Sequence, residues 1–113
     1  MTILITRQEL QEAIDAGRVT VLDALPASSY ATQHLPGALN LVEQDVAEWA
    51  GELLPDTDAA IVTYCSNVSC GNSQTVASRL EQLGYRNVRK YREGIQDWVE
   101  AGLPTESGVA IRR

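Results

Sequence analysis

Two cysteines, Cys65 and Cys70, are the residues whose type and spacing most directly suggest chemistry in this chain. A thiolate is a nucleophile and a metal ligand, whereas a buried neutral thiol is inert, so what matters is what would ionise each one. Two cysteines are too few for the disulfide framework of a small secreted domain, and a close pair in a cytosolic protein points to catalysis, redox exchange or metal binding. A structural zinc site needs four ligands. Cys65, Cys70 and His34, the single histidine, supply three, so neither a metal nor another cofactor is expected. A Cys65–Cys70 bond requires the intervening loop to fold back until the Cα atoms lie within about 7 Å. Spacing alone leaves open whether Cys70 bonds to Cys65 or fills the loop.

The surroundings of Cys65 are more informative. It follows residues 59–64 (AAIVTY), an almost wholly apolar run expected of a central strand buried on both faces. After it comes a loop of small side chains, Ser66, Asn67, Val68, Ser69, Cys70 and Gly71. Asn72 or Ser73 is expected to cap the next helix, whose apolar stripe is Val76, Ala77, Leu80 and Leu83, with Gly84 as its stop. Ligands of open parallel sheets bind beyond the carboxyl ends of the strands. A helix N-terminus there adds about half a positive charge and free amides. Cys65 is therefore expected to ionise easily and act as the nucleophile, with the backbone amides of Ser66 to Gly71 as a cradle for an anion.

The other segments must build the sheet. Residues 2–5, 19–22, 38–41 and 88–91 read as strands. Thr6 and Glu9 form a T-x-x-E capping box ahead of a helix with Leu10, Ala13 and Ile14 on one face and Gly17 as its stop. Residues 27–33, 45–54 and 95–101 read as further helices, the second facing Val46, Trp49, Ala50 and Leu53 to the core. Strands alternating with helices predict an α/β fold with a mostly parallel sheet. Residues 1–104 are expected to form one domain, and 105–113 a loose tail.

The chain has 113 residues, 44% hydrophobic and 21% charged, which suits one ordinary globular domain. A net charge of −6 repels phosphate backbones and anionic lipid, so nucleic acid and membrane are poor partners. No apolar run approaches the ~20 residues of a membrane span, and the start MTILITRQEL lacks the character of a signal peptide. A cytoplasmic location is expected.

Several segments together resemble the rhodanese-like family, over roughly residues 5 to 104. Ile61-Val62-Thr63-Tyr64-Cys65, with its loop and helix, looks like the family's active-site region. Val21-Leu22-Asp23 resembles its second strand, and His34-Leu35-Pro36-Gly37-Ala38 its H-[IL]-P-G-A turn. Leu83-Gly84-Tyr85-Arg86-Asn87-Val88 and Glu93-Gly94-Ile95 with Trp98 are similar to its closing motifs. The resemblance implies a five-stranded, mostly parallel sheet with helices on both faces. It also implies a sulfurtransferase that carries sulfane sulfur as a persulfide on Cys65, from a donor such as thiosulfate to cyanide, a thiol or an acceptor protein. In that context His34 is read as structural. Two departures count against efficient use of thiosulfate, a dianion. Ser66 to Ser73 contains no basic residue, and Leu25 stands where an arginine often follows the strand-two aspartate. Gly71 likewise occupies the arginine position of a C-x5-R phosphatase loop. Two other readings remain: a thiol redox module cycling Cys65 and Cys70, and a non-catalytic rhodanese-like interaction module.

Overall fold

The structure, a computed structural model, describes residues 2–108. Five strands, β1 (Ile3–Leu4), β2 (Thr20–Asp23), β3 (Leu39–Asn40), β4 (Ile61–Tyr64) and β5 (Val88–Tyr91), form one sheet in the order β1-β5-β4-β2-β3. All four strand pairings are parallel. The helices are α1 (Arg7–Asp15), α2 (Ala27–Thr32), α3 (Val46–Leu53), α4 (Asn72–Gln82) and α5 (Gly94–Glu100). Among the described residues, no helix is long and apolar enough to cross a membrane.

Strand alternation assigns each side chain to a face. Ile61 packs with Val46, Ala50, Val76 and Leu80 of α3 and α4, whereas Val62 and Tyr64 pack with Leu10, Tyr30 and Trp98 of α1, α2 and α5. Helices thus cover both faces, as the family resemblance implied. β4 is buried at all four positions because it is central and sandwiched. Each fully buried aliphatic side chain of these cores contributes about 1.5–3 kcal/mol of transfer free energy. Cys65 continues the alternation and falls on the α3–α4 side, among that core's residues.

The capping box of α1 is present: Glu9 N–H donates to Thr6 Oγ1 at 3.1 Å, and Thr6 N–H to the Glu9 carboxylate at 3.0 Å. Other expectations require correction. β1 spans two residues rather than four. The helix expected from residue 45 begins at Val46, after a 3₁₀ turn over Glu43–Asp45. Trp49 and Leu53 are only partly buried against the core. Leu83 lies past the end of α4 and is 50% exposed, so the stripe of α4 ends at Leu80.

The segment expected as a tail is attached through residue 108. Glu106 and His34 exchange backbone hydrogen bonds at 2.8 Å, and Gly108 N–H donates to Ala31 O at 2.8 Å. The remainder of that tail, 109–113, lies outside the described residues.

Candidate functional site

Cys65 leaves the carboxyl end of the central strand, where the surrounding backbone is tied down from three directions. On the β2 side, the buried Asp23 carboxylate accepts the Tyr64 hydroxyl at 2.6 Å and Leu25 N–H at 2.8 Å. Leu35 N–H donates to the Tyr64 hydroxyl at 3.1 Å. Burial pushes the Asp23 carboxyl above the usual aspartate range and the Tyr64 phenol upward as well. These bonds fix the residue immediately before Cys65. On the α4 side, Thr63 Oγ1 donates to Ser73 O at 3.0 Å, which sets the first turn of α4 over the strand end.

The third constraint is α5. Ile95 N–H donates to Cys65 O at 2.9 Å, and Gln96 N–H to Ser66 O at 3.0 Å, so two otherwise unpaired amides of the helix start are met by the loop. The approach requires glycine at position 94. Its φ is +75°, and a Cβ there would stand 2.6 Å from Cys65 O and from the Ser66 carbonyl.

Asn67 shapes the loop. Its Oδ1 accepts Ser69 N–H at 2.9 Å, its backbone carbonyl accepts Cys70 N–H at 3.1 Å, and its Nδ2 donates to Gln96 Oε1 at 3.1 Å. The loop therefore folds back on itself. The Cα atoms of Cys65 and Cys70 come to 6.4 Å, and their sulfurs are joined as a disulfide. Spacing left that pairing open, and the turn at Asn67 brings it about. Cys65 is 2% exposed, whereas Cys70 is only partly buried.

Six loop residues were expected to offer amides to an anion, and they divide in the structure. The Ser69 and Cys70 amides are turned inward on Asn67. Those of Ser66, Asn67, Val68 and Gly71 have no hydrogen bond among the described residues. Val68 forms the loop tip at 63% exposure. The helix cap differs from expectation. Gly71 is the N-cap of α4 and makes no side-chain cap bond. Asn72 turns aside to Ala24 O at 3.4 Å, and Ser73 is buried with its hydroxyl 3.7 Å from Cys65 Sγ. The start of α4 thus keeps unpaired amides beside Cys65, where they favour a negative charge.

One depression borders the loop and another borders the start of α4. The first, of about 300 Å³, is lined by Asn67, Val68, Glu93, Gln96, Asp97 and Glu100. The other, of about 380 Å³, includes Asn72, Ala24, Asn40, Glu43 and Asp45. Lysine and arginine line neither. His34 is built into the scaffold: it stacks on Tyr30 with ring centroids 3.8 Å apart, and its Nδ1 lies 2.7 Å from Tyr30 O. Among the described residues, no three metal-ligating side chains are grouped.

Gly94, Gln96 and Ser73 are the residues whose place at the site sequence reasoning did not find. Gly94 carried a visible mark, a glycine directly before the last helix. Ser73 was read as a cap. Nothing in the sequence pairs Asn67 with Gln96.

A five-stranded parallel sheet with a cysteine loop leading from its central strand into a helix defines the rhodanese-like class. Residues 6–101 match the family model for the rhodanese-like domain, and the chain belongs to that family. It is 31% identical to thiosulfate sulfurtransferase GlpE of Haemophilus influenzae, over 91% of this chain and 93% of that protein. It is 36% identical, over 95% of its length, to the HTH-type transcriptional regulator Rv0324 of Mycobacterium tuberculosis, of which it spans 46%. The crystal structure of the BH2092 protein from Bacillus halodurans aligns with a TM-score of 0.85 at 24% identity, over 94% of this chain and 77% of that one. The last likeness concerns the fold alone.

Proposed function

We propose that this chain is a sulfurtransferase in which Cys65, once reduced, takes a sulfane sulfur from a small-molecule donor and holds it as a persulfide. It then passes the sulfur to a thiol, cyanide or an acceptor protein. The observation that carries this reading is the setting of Cys65, buried at the end of β4 against the uncapped start of α4. There a thiolate attacks the donor, and the terminal persulfide anion meets the free amides of the loop. The relatives named thiosulfate sulfurtransferase support the same chemistry. A reducing compartment such as the cytoplasm keeps Cys65 available. The regulator relative is more than twice as long as the matched region, so its name is not carried over to this chain.

The test is intact-mass analysis of reduced protein after exposure to thiosulfate and then cyanide. The expected result is one sulfur atom gained by a Cys70→Ser variant, in which no second thiol can displace it, and removed by cyanide, with no gain in a folded Cys65→Ser variant. Uptake by Cys65→Ser overturns the assignment. The Cys65–Cys70 bond favours a second reading, a dithiol–disulfide module without sulfur transfer. That module loses two hydrogens on mild oxidation and never carries cyanolysable sulfur.

A further inference from the structure

The disulfide shows that Cys70 reaches the sulfur on which a donated sulfur would sit. We infer that Cys70 is a built-in resolving thiol, so that the domain converts a sulfane sulfur into hydrosulfide without an external acceptor; this rests on the Cys65 persulfide reading. In the loaded state Cys65 Sγ bears a terminal sulfur. The Cys70 thiol passes its proton to the terminal sulfur as its own sulfur attacks Cys65 Sγ; a new Sγ–Sγ bond forms, and the bond to the terminal sulfur breaks. Its electron pair leaves on that sulfur, which departs as HS⁻. The sulfane sulfur is reduced to sulfide and the two cysteine sulfurs are oxidised to the disulfide. A dithiol reductant then supplies two electrons and two protons to reopen the bridge and is itself oxidised to its disulfide.

Three observations support this step. The Cα separation of 6.4 Å lies within the range a bridge needs, so the bond forms without rebuilding the strand end. Asn67 preforms the fold-back by holding the amides of Ser69 and Cys70 with its side chain and carbonyl. The two cysteines also differ in access: Cys65 is 2% exposed and Cys70 only partly buried. An incoming reductant thiolate therefore attacks Cys70, and Cys65 departs as a thiolate beside the start of α4, which lowers the barrier to its leaving. Each turn returns Cys65 ready for a donor.

The experiment is a single turnover of the full chain, reduced with a dithiol, freed of it without air, and mixed with thiosulfate or glutathione persulfide alone. Wild type is expected to release one equivalent of HS⁻ and to end two hydrogens lighter than the reduced chain, with no lasting persulfide. Cys70→Ser, with a circular dichroism spectrum matching wild type, is expected to retain one added sulfur that cyanide removes, and to release no HS⁻. Asn67→Ala keeps both cysteines and is expected to give wild-type products after a longer-lived persulfide. A wild-type persulfide as durable as that of Cys70→Ser, or added sulfur mapping to Cys70, overturns the resolving role while leaving the persulfide reading intact. Absence of both sulfur uptake by Cys70→Ser and HS⁻ release by wild type overturns the persulfide reading itself, and the resolving step with it.

Discussion

At the scale of single residues, the chemistry of Cys65 depends on neighbours that hold few charges. No basic side chain follows it through Ser73, so in the reduced protein a Cys65 thiolate would draw on the amides at the start of α4 and on the Ser73 hydroxyl, whose Oγ lies 3.7 Å from Sγ. A Ser73 hydroxyl turned to donate to the thiolate over this long distance would be worth about 1 kcal/mol. In the reduced protein, Ser73→Ala is therefore expected to slow alkylation of Cys65 by iodoacetamide at pH 7 by roughly fivefold. The deficit should close above about pH 10, where thiols ionise without help. Measuring the alkylation rate across pH decides the matter. Equal rates at pH 7 remove Ser73 from the site and leave the helix start alone.

Gly94 links residue to element, because it is where α5 meets the loop. Alanine at φ +75° costs about 1–2 kcal/mol in backbone strain, before its Cβ displaces the Cys65 and Ser66 carbonyls. Gly94→Ala is expected to lower the urea midpoint by an amount matching at least that loss, and to slow sulfur loading by tenfold or more as Cys65 moves. A variant unchanged in both would show that α5 does not position the loop. The same element explains what could be read in the sequence. Thr6 and Glu9 state their capping box within four residues, and the apolar run 59–64 announces a central strand, because both codes are local. The Asn67–Gln96 hydrogen bond joins positions 29 apart, and Gly37 N–H meets the Glu106 carboxylate 69 residues away. Such contacts depend on how the sheet brings distant segments together. Ser73 was misread for the same reason, since a serine at a helix start has the same local pattern whether it caps the helix or faces a cysteine. The Cys65–Cys70 bond needed the turn at Asn67, which spacing does not specify.

The whole molecule sets which donors reach the loop. The chain carries a net charge of −6, and Glu93, Asp97 and Glu100 line the depression beside Val68. In the sulfurtransferase reading thiosulfate, a dianion, would approach against this field, with the free amides of the loop and of the α4 start as the short-range attraction. Salt separates the two contributions, because the Debye length falls from about 30 Å at 0.01 M to about 10 Å at 0.1 M. Screening at that distance removes the long-range repulsion and leaves contacts inside the loop almost untouched. The second-order rate of sulfur loading from thiosulfate is therefore expected to rise about threefold between 0.01 and 0.2 M sodium chloride. An uncharged sulfane donor should show no such rise. Glu100→Gln, which retains a partner for Gln96, is expected to raise the low-salt rate and flatten the dependence. A loading rate that falls with salt would mean that the local field of the α4 start, and not the acidic surface, governs the encounter. The domain would then be suited to anionic donors despite its charge.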